Sequence, residues 1–263
     1  MKKKVLLIAA LFTAGFSFAQ DQMTSKKGTP ILPEAGDYAI GFDAAGLTNY
    51  AGNLLNGGAN NSFNNLGLQR AQTIYGKYFK DANTAYRGML QLDFGSNTNT
   101  TIVGDSASGA AAGSTVEDET TTSNLGITIG GGIEYRRGKG RLQGVYGPMA
   151  MISLGSSSTE NTYGNAINNL APGTSRVTES SVGSTFGLSL GGFAGVEYFF
   201  APKMSIGGEI MWAIQLNSTG TGESTTETWD GTTTTSTTKE TGGSSSFNIG
   251  TVPMANLNLN FHF

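Results

Sequence analysis

From residue 36 onward, apolar side chains recur at every second position, and this two-residue period limits the possible folds more than any other feature of the chain. Successive side chains of a strand point to opposite faces, so the period reads as β-structure, whereas an amphipathic helix needs a period near 3.6. Residues 36–46 set Tyr38, Ile40, Phe42 and Ala44 against Asp37, Ala39, Gly41 and Asp43. The same alternation runs through 85–94, 124–136, 141–154, 185–199, 204–216 and 247–263. Residues 71–80 are the least regular, with Ile74 and Tyr78 on one face and Tyr75 and Phe79 on the other. Eight strands are expected.

A soluble β-sandwich alternates as well, so the connections have to separate the two cases. Short ones fall at 80–84, 137–140 and 200–203; long ones at 47–70, 95–123, 155–184 and 217–246. Strands joined by tight turns at one end and long loops at the other follow the up-and-down plan of a membrane barrel. Each segment also offers the roughly 9 to 11 tilted residues that crossing a bilayer takes. The expected fold is therefore all-β: an antiparallel, eight-stranded, transmembrane up-and-down β-barrel over residues 36–263 with long extracellular loops. Tyr38, Tyr135, Tyr198, Trp212 and Phe263 fall near strand ends, where interfacial aromatic girdles lie.

The N-terminus supplies the address. Lys2, Lys3 and Lys4, the apolar run Val5 to Phe12, and Ser17-Phe18-Ala19 have the three parts of a secretory signal, with cleavage expected after Ala19. Residues 20–35 then form a periplasmic arm containing Thr29-Pro30-Ile31-Leu32-Pro33. The chain has no cysteine, which removes disulfides, thiol catalysis, thiolate metal sites and a lipid-bearing N-terminal cysteine. No later apolar run approaches the roughly 18 to 20 residues of a membrane-spanning helix. A formal charge of −3 gives no basis for nucleic-acid binding. An exported chain of this kind is expected either soluble outside the inner membrane or embedded in an outer membrane as strands.

The chain end, Leu257-Asn258-Leu259-Asn260-Phe261-His262-Phe263, alternates up to a terminal phenylalanine. With Leu142-Gln143-Gly144-Val145-Tyr146-Gly147-Pro148 and Val196-Glu197-Tyr198-Phe199-Phe200-Ala201-Pro202-Lys203, it resembles the small eight-stranded outer-membrane β-barrels of Gram-negative bacteria, the group of the OmpA barrel domain and OmpX. The resemblance implies an outer-membrane location, and makes Leu259, Phe261 and Phe263 the signal read by the barrel-insertion machinery. No peptidoglycan-binding domain is expected after the last strand, a departure from the longer OmpA-type proteins.

Inside such a barrel the less apolar face of each strand points inward, which collects Asp37, Lys77, Arg87, Glu134, Glu197 and Glu209 near the short turns. Buried charges must pair or keep water, so these six are expected to form a structural network that blocks the barrel, with Arg136 at its rim. The connection 217–246, in which 18 of 30 residues are Ser or Thr, reads as a solvated loop or as a surface for an external partner. Glu117-Asp118-Glu119 lacks the ligand spacing of a calcium loop, and no metal is expected.

Catalysis is not expected either. The one histidine, His262, is penultimate and far from the long loops, and no phosphate-binding glycine motif precedes a helix. No cofactor is implied. The expected role is a non-catalytic outer-membrane barrel, structural or surface-binding through its Ser/Thr-rich loops. An accessory subunit of an insertion, secretion or uptake complex stays open, as do a narrow channel or hydrophobic-solute route and a soluble lipocalin-like carrier. The expected partners are outer-membrane lipid, the insertion machinery during biogenesis, and other outer-membrane proteins if a complex forms.

Overall fold

The computed structural model describes residues 23–44 and 72–263; the expected signal segment and the connection 47–70 lie outside them. Among the described residues there are ten strands, all in one antiparallel sheet: β1 (Tyr38–Asp43), β2 (Gln72–Asp81), β3 (Thr84–Gly104), β4 (Thr115–Lys139), β5 (Leu142–Thr162), β6 (Ser175–Ala201), β7 (Met204–Thr219), β8 (Gly222–Trp229), β9 (Thr234–Thr241) and β10 (Ser244–His262). β1 to β7 pair in chain order, β7 pairs with β10, and β10 returns to β1. Eight strands thus close a ring. β8 and β9 form a hairpin that branches from the outer part of β6. Among the described residues the only helical element is one 3-10 turn, Ile167–Asn169, and no helix is long and apolar enough to cross a membrane.

The ring is staggered. Pairing partners followed from Ile40 run through Gly76, Gly88, Gly131, Ala150, Leu190 and Ile214 to Ile249, twelve residues before Phe261, which is the direct partner of Ile40. Two of those twelve are taken up where β10 bulges between Val252 and Asn256. A closed sheet with such a stagger must tilt its strands, typically by about 35–45°, and at eight strands its interior is just wide enough to be filled by side chains.

The short connections between β2 and β3, β4 and β5, and β6 and β7 are tight turns at one end of the ring. Gly140 (φ 70°) supplies the left-handed conformation in the second, and Lys203 (φ 57°) takes it in the third. Lys203 is held in that strained geometry by its surroundings. Its N–H donates to the Ile31 carbonyl, its carbonyl accepts from His262 N–H, and its ammonium pairs with Asp37.

At the other end the strands run well past the lengths their apolar alternation predicts. β3, β4, β5 and β6 continue into segments expected as loops, and the connection 217–246 holds β8, β9 and the ends of β7 and β10. The expectation of eight strands is corrected here to ten among the described residues. Threonine is β-branched and favours extended backbone, and its hydroxyl can bond a neighbour across the ladder. Side-chain pairs Ser96–Ser123, Thr98–Thr121, Ser175–Thr228 and Thr225–Thr238 do so at 2.8 to 3.2 Å. Polar strands can therefore pair without an apolar face, which the alternation could not reveal.

The sheet's two faces differ sharply. Inward lie Tyr75, Met89, Met149, Met151, Phe193, Met211 and Ala213 as one buried cluster, farther from the turns than Lys77, Arg87 and Glu209. Outward, large apolar side chains are exposed around the ring, including Ile129, Ile152, Leu190 and Ile214. The arm closes the short-turn end. Residues 24–30 turn back on themselves around Ser25, whose hydroxyl accepts the Lys27 and Thr29 N–H groups, and Ile31 and Leu32 pack on Phe199.

Candidate functional site: the buried charge network of the ring

Depth along each strand selects which inward residues meet. Lys77 of β2, Arg87 of β3, Glu134 and Arg136 of β4, Glu197 of β6, Ser205 and Glu209 of β7, and Asn260 and His262 of β10 share the interior between the arm and the methionine cluster. Glu134 is the hub. Lys77 Nζ lies 2.9 Å from its Oε2, Arg87 Nη1 3.5 Å from Oε2, and Arg136 Nη1 3.2 Å from Oε1. Arg87 also grips Glu209 with two parallel hydrogen bonds of 2.8 and 2.7 Å, the bidentate geometry that makes guanidinium–carboxylate pairs strong. Glu197 collects the rest: Arg136 Nη2 at 2.6 Å, Lys77 Nζ at 3.7 Å, the Ser205 hydroxyl, and Asn260 Nδ2 at 2.9 Å.

His262 Nε2 lies 3.1 Å from Ser205 Oγ and 3.5 Å from Glu197 Oε1. Its ring packs between Phe79 and Phe199, at 5.5 and 5.1 Å between centroids. The two guanidiniums also use aromatic faces. Arg87 lies 4.2 Å from the Phe193 ring centre and 5.2 Å from that of Tyr75, and Arg136 sits 5.2 Å from Phe79 and 5.5 Å from Phe199. Neither Nε makes a hydrogen bond.

Of the six residues singled out from the sequence, the structure brings five together: Lys77, Arg87, Glu134, Glu197 and Glu209. The placement of Asp37 in the network is corrected. Its carboxylate sits at the rim, bonded to Lys203 and to the Glu34 N–H at 2.7 Å, because β1 begins at the turn end, where the arm enters. The rim position for Arg136 is also corrected, since its side chain has no exposed area and bridges Glu134 and Glu197. These two exchanges turn an expected excess of carboxylates into three cations facing three anions.

Ser205, Asn260 and His262 were missing from the sequence-based network. Their signal was present in the parity of β7 and β10, which sets Ser205 with Glu209 and Asn260 with His262 on the inward face. Leu259, Phe261 and Phe263, the residues of the expected insertion signal, occupy the outward parity of β10, and Phe263 is strongly exposed. The carboxylates here are occupied by cations, and among the described residues no group of His, Cys, Asp and Glu is arranged to hold a metal. The arrangement's chemistry is neutralisation of charge inside a closed sheet.

Fold and network together define a class: an all-β chain whose eight-stranded antiparallel ring is filled and closed at one end. Neither a family model nor a curated protein matches the chain.

Proposed function

We propose that this chain is a non-catalytic integral outer-membrane β-barrel that seals its own interior and carries its polar strands outside the cell. One observation bears most of the weight: among the described residues, large apolar side chains are exposed in a belt on the outer face all around the ring. Exposed apolar patches on water-soluble monomers rarely exceed a few hundred Å². On β4 the belt runs from Leu125 to Tyr135, ten steps of about 3.4 Å, which at a tilt near 40° is about 25 Å of height. That matches the apolar band of membrane barrels.

Aromatic residues rim the belt. Near the turns, Tyr38, Tyr78 and Tyr86 follow one another at 5.0 and 6.5 Å between ring centres, and Tyr135 meets Tyr146 at 5.7 Å. Phe94, Phe186 and Phe247 are exposed toward the opposite end. The charge network, the methionine cluster and the arm fill the interior, which favours a structural or surface role over conduction. Packing of Ile31 and Leu32 on the ring's own Phe199 leaves those arm residues no apolar surface for a partner subunit.

Membrane fractions washed with alkaline carbonate test the reading. The protein should remain in the pellet, run faster on gels when unheated than when boiled, and give no steady conductance in a planar bilayer. Release by carbonate would overturn membrane integration, and stable single-channel steps would overturn the sealed interior.

A further inference from the structure

Among the described residues the sheet ends in an unpaired edge. β9 bonds β8 along one side over all eight residues without a register shift, and among the described residues no strand lies along its other side. Every residue of β9 is exposed. Its sequence, Thr-Thr-Ser-Thr-Thr-Lys-Glu-Thr, has strong β propensity and no proline. Natural edge strands are usually blunted by bulges, proline, several charges or short length; β9 carries one lysine and one glutamate. Its free N–H and C=O groups form a template for strand addition.

We propose that β9 docks against β9 of a second copy of this chain, antiparallel and about a two-fold axis. A two-fold axis can pass only between a residue and its own copy, so the register centred on Thr237 sets Thr237 opposite the partner's Thr237, Ser236 opposite the partner's Thr238, and Thr235 opposite the partner's Lys239. Hydroxyls then face hydroxyls at the centre, as Thr225 faces Thr238 at 2.9 Å within the hairpin, and no like charges are opposed. A parallel, in-register pair would set lysine beside lysine and glutamate beside glutamate, which is unfavourable. Charge therefore selects the antiparallel arrangement, and the contact is isologous and closes at two copies.

Orientation follows from topology. β6 and β9 are both antiparallel to β8, so β9 runs in the direction in which β6 enters the ring. Antiparallel pairing of two β9 strands then points the two rings in opposite directions. Resting on the membrane reading above, the partners sit in two facing membranes, and the contact joins one cell surface to another.

The cysteine-free chain makes the test clean. T235C and K239C are purified separately in detergent, mixed, and exposed to a mild oxidant. A disulfide-linked dimer is expected in the mixture and not in either protein alone; no dimer in the mixture, or dimers of T235C alone, would overturn the antiparallel pairing. Vesicles carrying the unmodified protein are then followed by light scattering. Clustering that T237P and S236P reduce supports contact between facing membranes. Disulfides in detergent without vesicle clustering would retain the β9 pairing and overturn the facing-membrane arrangement, while carbonate extraction separately tests the membrane reading.

Discussion

Arg136 and Glu197 meet at 2.6 Å inside the ring, the first with no exposed side-chain area and the second with almost none. They come from β4 and β6, which lie on either side of β5, so their ion pair reaches over that strand on the inward face rather than linking hydrogen-bonded neighbours. Lys77, Glu134 and His262 complete the same cross-brace. Removing one ion from such a set costs more than the set contributes, because the remaining charges keep their burial and lose their compensation.

Glu197→Ala is accordingly expected to lower unfolding stability by about 3–5 kcal/mol, measured by urea titration in lipid vesicles. Combining it with Arg136→Met should recover a substantial part of the loss, since the orphaned guanidinium is removed and replaced by an apolar chain. If the loss in the double variant instead equals the sum of the losses from Glu197→Ala and Arg136→Met made singly, the two side chains are not coupled.

The belt makes an opposite demand on charge. Ile129 lies near its middle, and Ile129→Lys is expected to cost about 2–4 kcal/mol when the protein unfolds from a bilayer, and much less when it unfolds from detergent micelles. An equal cost in both media would count against lipid at this face.

Close approach of strands is tested at glycine. A Cβ on Gly147 would stand 1.8 Å from the Ile133 carbonyl oxygen, a backbone atom of the neighbouring strand that cannot move without disturbing the ladder. Gly147→Ala should sharply reduce the refolded fraction, read as the fast-migrating form on unheated gels. Gly208→Ala, whose Cβ meets nothing within 4 Å, should refold normally.

The turn between β8 and β9 responds to acid. The Asp230 carboxylate accepts the Thr233 and Thr232 N–H groups, each at 2.7 Å, and these bonds hold its carboxyl below the ordinary aspartate range. A lowered folded pKa stabilises the turn above the unfolded pKa, and that contribution disappears as pH falls through the folded value. Amide protection at Thr232 and Thr233 should therefore weaken in acid beyond the intrinsic pH effect on exchange. Asp230→Asn should remove the pH-dependent part.

Much of this organisation is legible in the sequence. The two-residue period alone sets Tyr75, Phe79, Arg87 and Glu134 inward and Tyr38, Ile129 and Trp212 outward, because a strand has only two faces. The short connections after β2, β4 and β6 are equally visible, since turn residues interrupt the alternation within a few positions. The extended outer strands are not. β8 and β9 are held by backbone ladders and hydroxyl pairs, which impose no hydrophobic period. Nor does the sequence tell Asp37 from Arg136. Parity assigns a residue to a face but not to a height, and height is decided by the stagger with which the ring closes and by the arm that fills its end. That closure carries Arg136 into the interior beside Glu197, and leaves Asp37 at the rim with Lys203.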